Sequence, residues 1–452
     1  MDAIQKRGPL FTNRALVGLT IPIILDALLA IVAGMVDSAM VSSAGEAAVS
    51  AVSLVDSLNL LFITVFAALG IGGSVVTAQY VGSRNYAQAS VSANQLFYAA
   101  TAVATFFMVL LLPLREPVLQ LVYGSIEADV FQNAATYWFY TLLGFPFFAM
   151  GSASAAVLRA MGKNRQAVTI TIAYNILNVI GNATLIYGFR MGVAGAAIST
   201  SVSRVVYAAL GLILAHSRKL PARFAGLLRF RLDWNVMKRV LRIGLTQSLE
   251  NGMFHIGKIL IASLVSSFGT VAIAAYSVSS TINNIGWTII GSFGTVLLTV
   301  VGQCMGAREP EQAKAYTRKL LAVATVTMIV VFGSVFCFRN YLVRLFDFGP
   351  EALQTCAYYT GASALFSVVA LYSFSFVPMS AFRAAGDIRY AVTVSIVSMF
   401  AFRVAACYVL NAIFPTLGLM CVYLGMAADW AFRSALNVRR FRSGKWLQKR
   451  LI

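Results

Sequence analysis

Residues 13–41 read NRALVGLTIPIILDALLAIVAGMVDSAMV. Beyond Arg14, the only charges in this stretch are Asp26 and Asp37. A helix needs about 20 apolar residues to cross the hydrocarbon layer, and this stretch supplies them. No small-residue cleavage site follows its apolar run, so it is expected to stay as a span and not to leave as a signal peptide. Similar stretches recur outward from it, at 48–76, 91–113, 134–157, 167–187 and 193–215. Six more lie at 243–266, 271–300, 320–338, 354–380, 390–411 and 417–436. Apolar residues make up 59 % of the 452 and charged ones only 11 %, against roughly 25 % charged in a soluble domain. A large soluble domain is excluded. The expected fold is an all-α polytopic membrane protein with twelve transmembrane helices.

The formal charge of +19 invites a nucleic-acid reading, but the placement of the charges excludes it. About 27 of the 35 Lys and Arg fall in alternate loops and at the two ends, from Lys6–Arg14 to Arg439–Arg450. About four, Arg115, Arg190, Arg339 and Arg344, fall in the opposite loops. Arg204, Lys258, Arg403 and Arg433 fall within spans. This is the positive-inside bias, and it predicts both termini in the cytoplasm. Basic cytoplasmic loops also suit an anionic lipid surface. The five cysteines form no C-x-x-C pair and there are two histidines, so neither a disulfide framework nor a histidine metal site is expected.

Shifting the chain by 224 residues lays its second half on its first. Gln79-x-x-Gly82-x-Arg84 meets Gln303-x-x-Gly306-x-Arg308, and Gln88-Ala89 meets Gln312-Ala313. Arg159-Ala160-x-Gly162-x-x-Arg165 meets Arg383-Ala384-x-Gly386-x-x-Arg389. An even number of spans per half makes these parallel repeats, a common plan among transporters. The expected organisation is two pseudo-symmetric six-helix bundles. The first lobe spans 1–215, a basic linker 216–242, the second lobe 243–436 and a basic tail 437–452. The stretches Pro117–Asn133 and Phe338–Glu351 read as long outer connections.

A carboxylate at membrane depth is a functional candidate by default. Asp37 lies a few residues from the outer end of the first span. Asn178 and Asn182 share a helix face near the outer end of the fifth span. Thr200 lies a similar distance into the sixth. One carboxylate, two amides and a hydroxyl at one depth suit Na⁺ through oxygen, or a proton on Asp37 with amide partners. Polar glue between helices is the competing account. Asp26 maps onto Glu250 under the repeat, whereas Asp37 maps onto Ile261. The ion site is therefore expected in the first half. Asp26, Glu250, Asn175, Tyr140 and Tyr276 are candidates for a substrate cavity or a second-half ion site, with aromatic rings suited to flat cations. Lys258 is read as paired across helices. Pro22, four residues before Asp26, frees a backbone carbonyl and marks a possible hinge. Gly72 and Gly73 are read as allowing close helix packing.

These motifs resemble the multidrug and toxic compound extrusion (MATE) family. The likeness is carried by Val36-Asp37-Ser38-Ala39-Met40-Val41, by Gln79-Tyr80-Val81-Gly82-Ser83-Arg84 and its repeat, and by Leu158-Arg159-Ala160-Met161-Gly162 and its repeat. Met191-Gly192-Val193-Ala194-Gly195-Ala196-Ala197 and Leu249-Glu250-Asn251-Gly252-Met253-Phe254-His255-Ile256-Gly257-Lys258 add to it. The resemblance implies two six-helix lobes and export of cationic, amphipathic drugs from a bacterial inner membrane in exchange for H⁺ or Na⁺. It places the cation site at Asp37, Asn178 and Thr200. A second family acid falls on Asn182, a departure from the pattern. It implies no enzyme activity, no cofactor, no metal other than Na⁺ at Asp37, no nucleic-acid partner and a monomer in the bilayer. A lipid-linked oligosaccharide flippase of the same superfamily is the rival reading. An intramembrane enzyme, lacking any paired acidic cluster, is the more distant one.

Overall fold

In lipid every backbone N–H and C=O has to be satisfied within the chain, so each apolar stretch closes on itself as a helix. The computed structural model describes residues 8–124, 126–227, 229–346, 348–369, 371–449 and 451–452. Lys6 and Arg450, counted among the basic residues above, lie outside the described residues. The first half contains α1 (Asn13–Ser42), α2 (Glu46–Gly82), α3 (Tyr86–Tyr123), α4 (Ala128–Leu143), α5 (Phe145–Ala160), α6 (Asn164–Asn182) and α7 (Gly192–Ala215). The second contains α8 (Trp234–Ser266), α9 (Thr270–Gly306), α10 (Pro310–Val343), α11 (Pro350–Val369), α12 (Tyr372–Ala385), α13 (Ile388–Val397), α14 (Ala405–Ile413) and α15 (Met420–Ser443). No strand occurs among the described residues.

Eight helical stretches are long and apolar enough to cross a membrane, and two bent pairs raise the number to ten. The pairs are α4 with α5, bent by 47°, and α11 with α12. The helices α8 and α15 complete six per half. They fall short on apolarity because α8 carries Glu250, His255 and Lys258, and α15 carries Asp429, Arg433 and a basic end. Their charges find a use below.

Three expectations need correction. The outer connection expected at Pro117–Asn133 is short, because α3 runs on through Pro113 and Pro117 to Tyr123. In that turn the Arg115 guanidinium donates to the Leu112 carbonyl at 3.0 Å. Its counterpart is shortened likewise, with α10 reaching Val343 and α11 starting at Pro350. The linker expected at 216–242 is irregular only as far as α8, which starts at Trp234. Asp233 sets that start by accepting the amides of Asn235 at 3.1 Å and Val236 at 3.2 Å, which caps the first turn.

The repeated motifs are helix stops. Gly162 and Gly386 adopt left-handed backbone with φ of +76° and +95°. In each case the next amide reaches back to close the helix, Lys163 to Leu158 and Asp387 to Phe382. Arg84 and Arg308 take the left-handed position in the other repeated turn, at φ +60° and +59°.

The chain falls into two compact units, Asn13–Ser248 and Leu249–Leu451 with residues 8–12. In the first, α5 packs on α7, and α2 on α3. Gly73 allows α2 this closeness to α3, since an added Cβ would stand 2.4 Å from Leu96, and Gly72 allows α2 a close approach to α8, where a Cβ would stand 2.5 Å from the Val240 carbonyl. In the second, α12 packs on α9 and α10 on α11. Leu10 and Phe11 donate their amides to Gln312 and Tyr316 there, at 2.9 and 3.0 Å.

Candidate ion and substrate site

The first unit gathers its polar residues where α1, α6 and α7 meet. Asn175, Asn178 and Asn182 lie on one face of α6, and a π-helical turn, Ala183–Gly188, follows at once. Asn182 is fully buried and its amide donates to the Asp37 carboxylate. Asn178 donates to Thr200 of α7 at 3.2 Å. Ser199 donates to the Asn178 carbonyl at 2.9 Å. Gly181 permits this approach, because a Cβ there would stand 2.4 Å from the Ser199 hydroxyl oxygen. The structure thus joins Asp37 to Asn182 and Asn178 to Thr200. The Asn182 side-chain oxygen and the Asn175 amide nitrogen are buried and make no hydrogen bond. A carboxylate, amide oxygens and a hydroxyl converging from three helices can hold a proton or offer oxygen ligands to Na⁺.

Tyr140 sits beside this cluster through its backbone, whose carbonyl accepts from Ser201 of α7 at 2.6 Å. Tyr276 belongs to the other unit, on α9. Helix α1 continues unbroken through Pro22.

Asp26 and Glu250 have partners. Arg159 meets Asp26 at 3.4 Å and Arg383 meets Glu250 at 2.7 Å. Both arginines come from the repeated R-A-x-G motif, so the ion pair itself is duplicated. Neither acid is an uncompensated charge, and each ion pair ties two helices of its own unit, α1 to α5 and α8 to α12. The expected partner of Lys258 is the correction here. No carboxylate lies within ion-pair distance of it among the described residues.

Two acids escaped the sequence reading. Asp56 on α2 accepts from the Tyr137 hydroxyl at 3.2 Å and lies in electrostatic range of Asp37. Its signal was a lone charge in the apolar run 48–76. Asp429 on α15 is fully buried between two arginines. Arg403, in a π-helical stretch at Ser398–Val404, reaches it at 2.5 Å, and Arg433 reaches it at 2.9 Å. The guanidiniums also lie over aromatic rings, Arg403 over Trp430 at 5.7 Å and Arg433 over Phe376 at 4.9 Å. Its signal was the four-residue spacing from Arg433. Among the described residues, no group of three His, Cys, Asp or Glu is placed to hold a metal.

A duplicated six-span bundle with polar clusters at membrane depth defines a polytopic membrane transporter. The MatE family profile matches residues 22–184 and 243–409, and the chain belongs to that family. Its members are transporters and not enzymes. The chain is 26 % identical to the probable multidrug resistance protein NorM of Thermotoga maritima, covering 97 % of this chain and 94 % of that one. It is 22 % identical to an FAD transporter of Shewanella oneidensis over 77 % of each. The fold is similar to that of a multidrug resistance MATE family transporter solved in its own outward-facing conformation, with a TM-score of 0.89, 21 % identity and 97 % of both chains covered.

Proposed function

We propose that this protein is an ion-coupled exporter of amphipathic, cationic organic compounds, with Asp37 as the carrier of H⁺ or Na⁺. The carrying observation is the bond from Asn182 to Asp37 in a cluster that only the first half possesses. The repeat puts Ile261, Phe402 and Ala406 opposite Asp37, Asn178 and Asn182, and none of these mates offers a side-chain oxygen or a proton-carrying group. Asn182 offers one amide to Asp37 and keeps an unpaired oxygen close by. Protonation of Asp37, or a Na⁺ bound to it, alters its hold on α6. Exchange follows when the ion and the cargo favour different states, with Pro22 as the hinge of α1. Asn175 and Tyr140 extend the site toward cargo, while Asp26 and Glu250 hold helices together. Both termini face the cytoplasm of a bacterial inner membrane, and the functional unit is a monomer with two six-helix lobes. The relative named as a multidrug resistance protein supports the cargo class.

A second reading concerns cargo bearing an anionic group. Arg403 and Arg433 share the carboxylate of Asp429 in the second unit, and Lys258 lies in electrostatic range of Arg403. The relative named as an FAD transporter fits this reading.

The test is ethidium efflux from vesicles energised with a pH gradient alone or a Na⁺ gradient alone. The wild type should export under one of them, which names the ion, and Asp37→Asn at matched expression should lose at least about tenfold in rate. Normal export by Asp37→Asn would reject the carrier assignment. Export of an anionic dye in preference to ethidium would put the second reading first.

A further inference from the structure

The second unit contains an open groove of roughly 360 Å³ between α10, α12 and α15. It lies at the end of the bundle where α10 begins and α15 finishes. Lys314, Arg318 and Arg442 line its mouth, and among the described residues no carboxylate lines it. None of the three forms an ion pair among the described residues. Leu321, Phe374 and Pro378 line the groove further in. Leu321 is seven residues beyond Lys314, about 10 Å along the helix. The groove is therefore cationic at its mouth and apolar at depth.

The repeat shows what such a groove is for. Lys314, Arg318 and Ala322 correspond to Ser90, Asn94 and Tyr98 of α3. That face of α3 is covered by the chain's own connecting segment. Ser90 accepts the Arg223 amide at 3.2 Å, Asn94 donates to the Ala225 carbonyl at 2.8 Å, and Tyr98 donates to the Leu227 carbonyl at 3.0 Å. Phe224 fills the apolar part, 5.3 Å from Phe97. In the second unit the segment after α15 goes elsewhere. Trp446 is buried against Phe382 and Phe441, and Leu451 lies on Gly386. Two of the three neutral side chains that hold a peptide segment are replaced by cations and the third, Tyr98, by Ala322, and among the described residues no segment covers the groove.

We propose that this groove binds an anionic phospholipid, its phosphate between Lys314, Arg318 and Arg442 and an acyl chain along Leu321, Phe374 and Pro378. Basic pockets between membrane helices suit such headgroups. Placement in the cytoplasmic leaflet rests on the orientation proposed above, but the binding itself does not.

The test uses the full chain purified in a neutral detergent and exchanged against phosphatidylglycerol, phosphatidylcholine of the same chains, or inorganic phosphate. Native mass spectrometry then counts retained ligand. The wild type should retain phosphatidylglycerol at least about tenfold better than phosphatidylcholine. Lys314→Gln/Arg318→Gln/Arg442→Gln should reduce retention to the phosphatidylcholine level. Ala322→Trp fills the groove without changing charge and should displace the lipid too; it decides the matter if the triple variant does not fold. Equal retention of the two lipids by the wild type overturns the proposal. So does undiminished phosphatidylglycerol on a folded Ala322→Trp protein. Inorganic phosphate competing as well as the whole lipid would overturn the lipid as occupant. The assay measures no transport, so its failure leaves the export reading untouched.

Discussion

Asp26 and Glu250 stand 224 residues apart, and each meets an arginine that is also 224 residues from its counterpart. Here the two halves are alike. With that pair set aside, they enclose opposite charge. The first half holds Asp37 and Asp56 against one buried arginine, Arg204, which donates to the Thr141 carbonyl at 2.7 Å. The second holds Arg403 and Arg433 on Asp429, with Lys258 in electrostatic range of Arg403. What was duplicated and kept is the framework: helix stops, the pair of acid and arginine, and the repeated Asn59 and Asn283, which donate to Thr141 and, two residues out of register, to Ser363. What diverged is the charge enclosed: acids beside an asparagine cluster in one half, two buried arginines on one acid in the other.

The largest expected effect tests whether the second half's charge is held by Asp429. With Asp429→Asn, two buried guanidiniums share no carboxylate, and breaking a buried pair from one side costs about 3–5 kcal/mol. Thermal unfolding in detergent should show a large fall in midpoint or no folded protein. A midpoint within a degree or two of wild type would mean that the arginines do not depend on Asp429.

Next comes the duplicated pair. Arg383 reaches both Glu250 oxygens at 2.7 Å, whereas Arg159 reaches Asp26 at 3.4 Å and is more exposed. Arg383→Gln should cost about 3 kcal/mol and Arg159→Gln about 1 kcal/mol. Equal losses would show that the repeat has preserved the energetics as well as the pairing.

Gly181 tests the geometry of the ion cluster. Its mate under the repeat is Ala405, so the second half tolerates a Cβ there. In the first half that Cβ would meet the Ser199 hydroxyl oxygen at 2.4 Å. Gly181→Ala should cost about 1–3 kcal/mol through overpacking. It should cost less in a Ser199→Ala background, where the hydroxyl is gone. An equal cost in both backgrounds would place the strain elsewhere.

The twelve spans, their duplication and the shared depth of Asp37 with the asparagines of α6 were legible in the sequence, because apolar length and polar depth are one-dimensional quantities. Partnership is not. Arg159 and Arg383 read as turn residues, yet their long side chains reach back into the bundle to Asp26 and Glu250. Asp429 was hidden by its setting, since span twelve looked weakly apolar and its acid stood among basic residues. Asp56 was passed over although it stood alone in an apolar run, and Tyr137, which donates to it, was 81 positions away. The bends between α4 and α5 and between α11 and α12 were also missed, because the apolar runs continue through them.

The smallest expected effect on stability belongs to Lys258, and it bears most directly on the division of charge. Sequence reading gave it a partner, and the described structure gives it none. Arg403, a like charge, is the cation within its electrostatic range. Lys258→Gln should then leave the unfolding midpoint unchanged within about 0.5 kcal/mol. Removing a repelled charge loses no bond. The functional effect should be selective: inhibition of ethidium export by an anionic dye should weaken by several-fold, with export itself retained. Asp37→Asn should do the reverse, ending export while leaving the anionic dye bound. A fall of several degrees in the Lys258→Gln midpoint would show that the lysine is paired after all, and the second half would then carry less free positive charge than Arg403, Arg433 and Asp429 suggest.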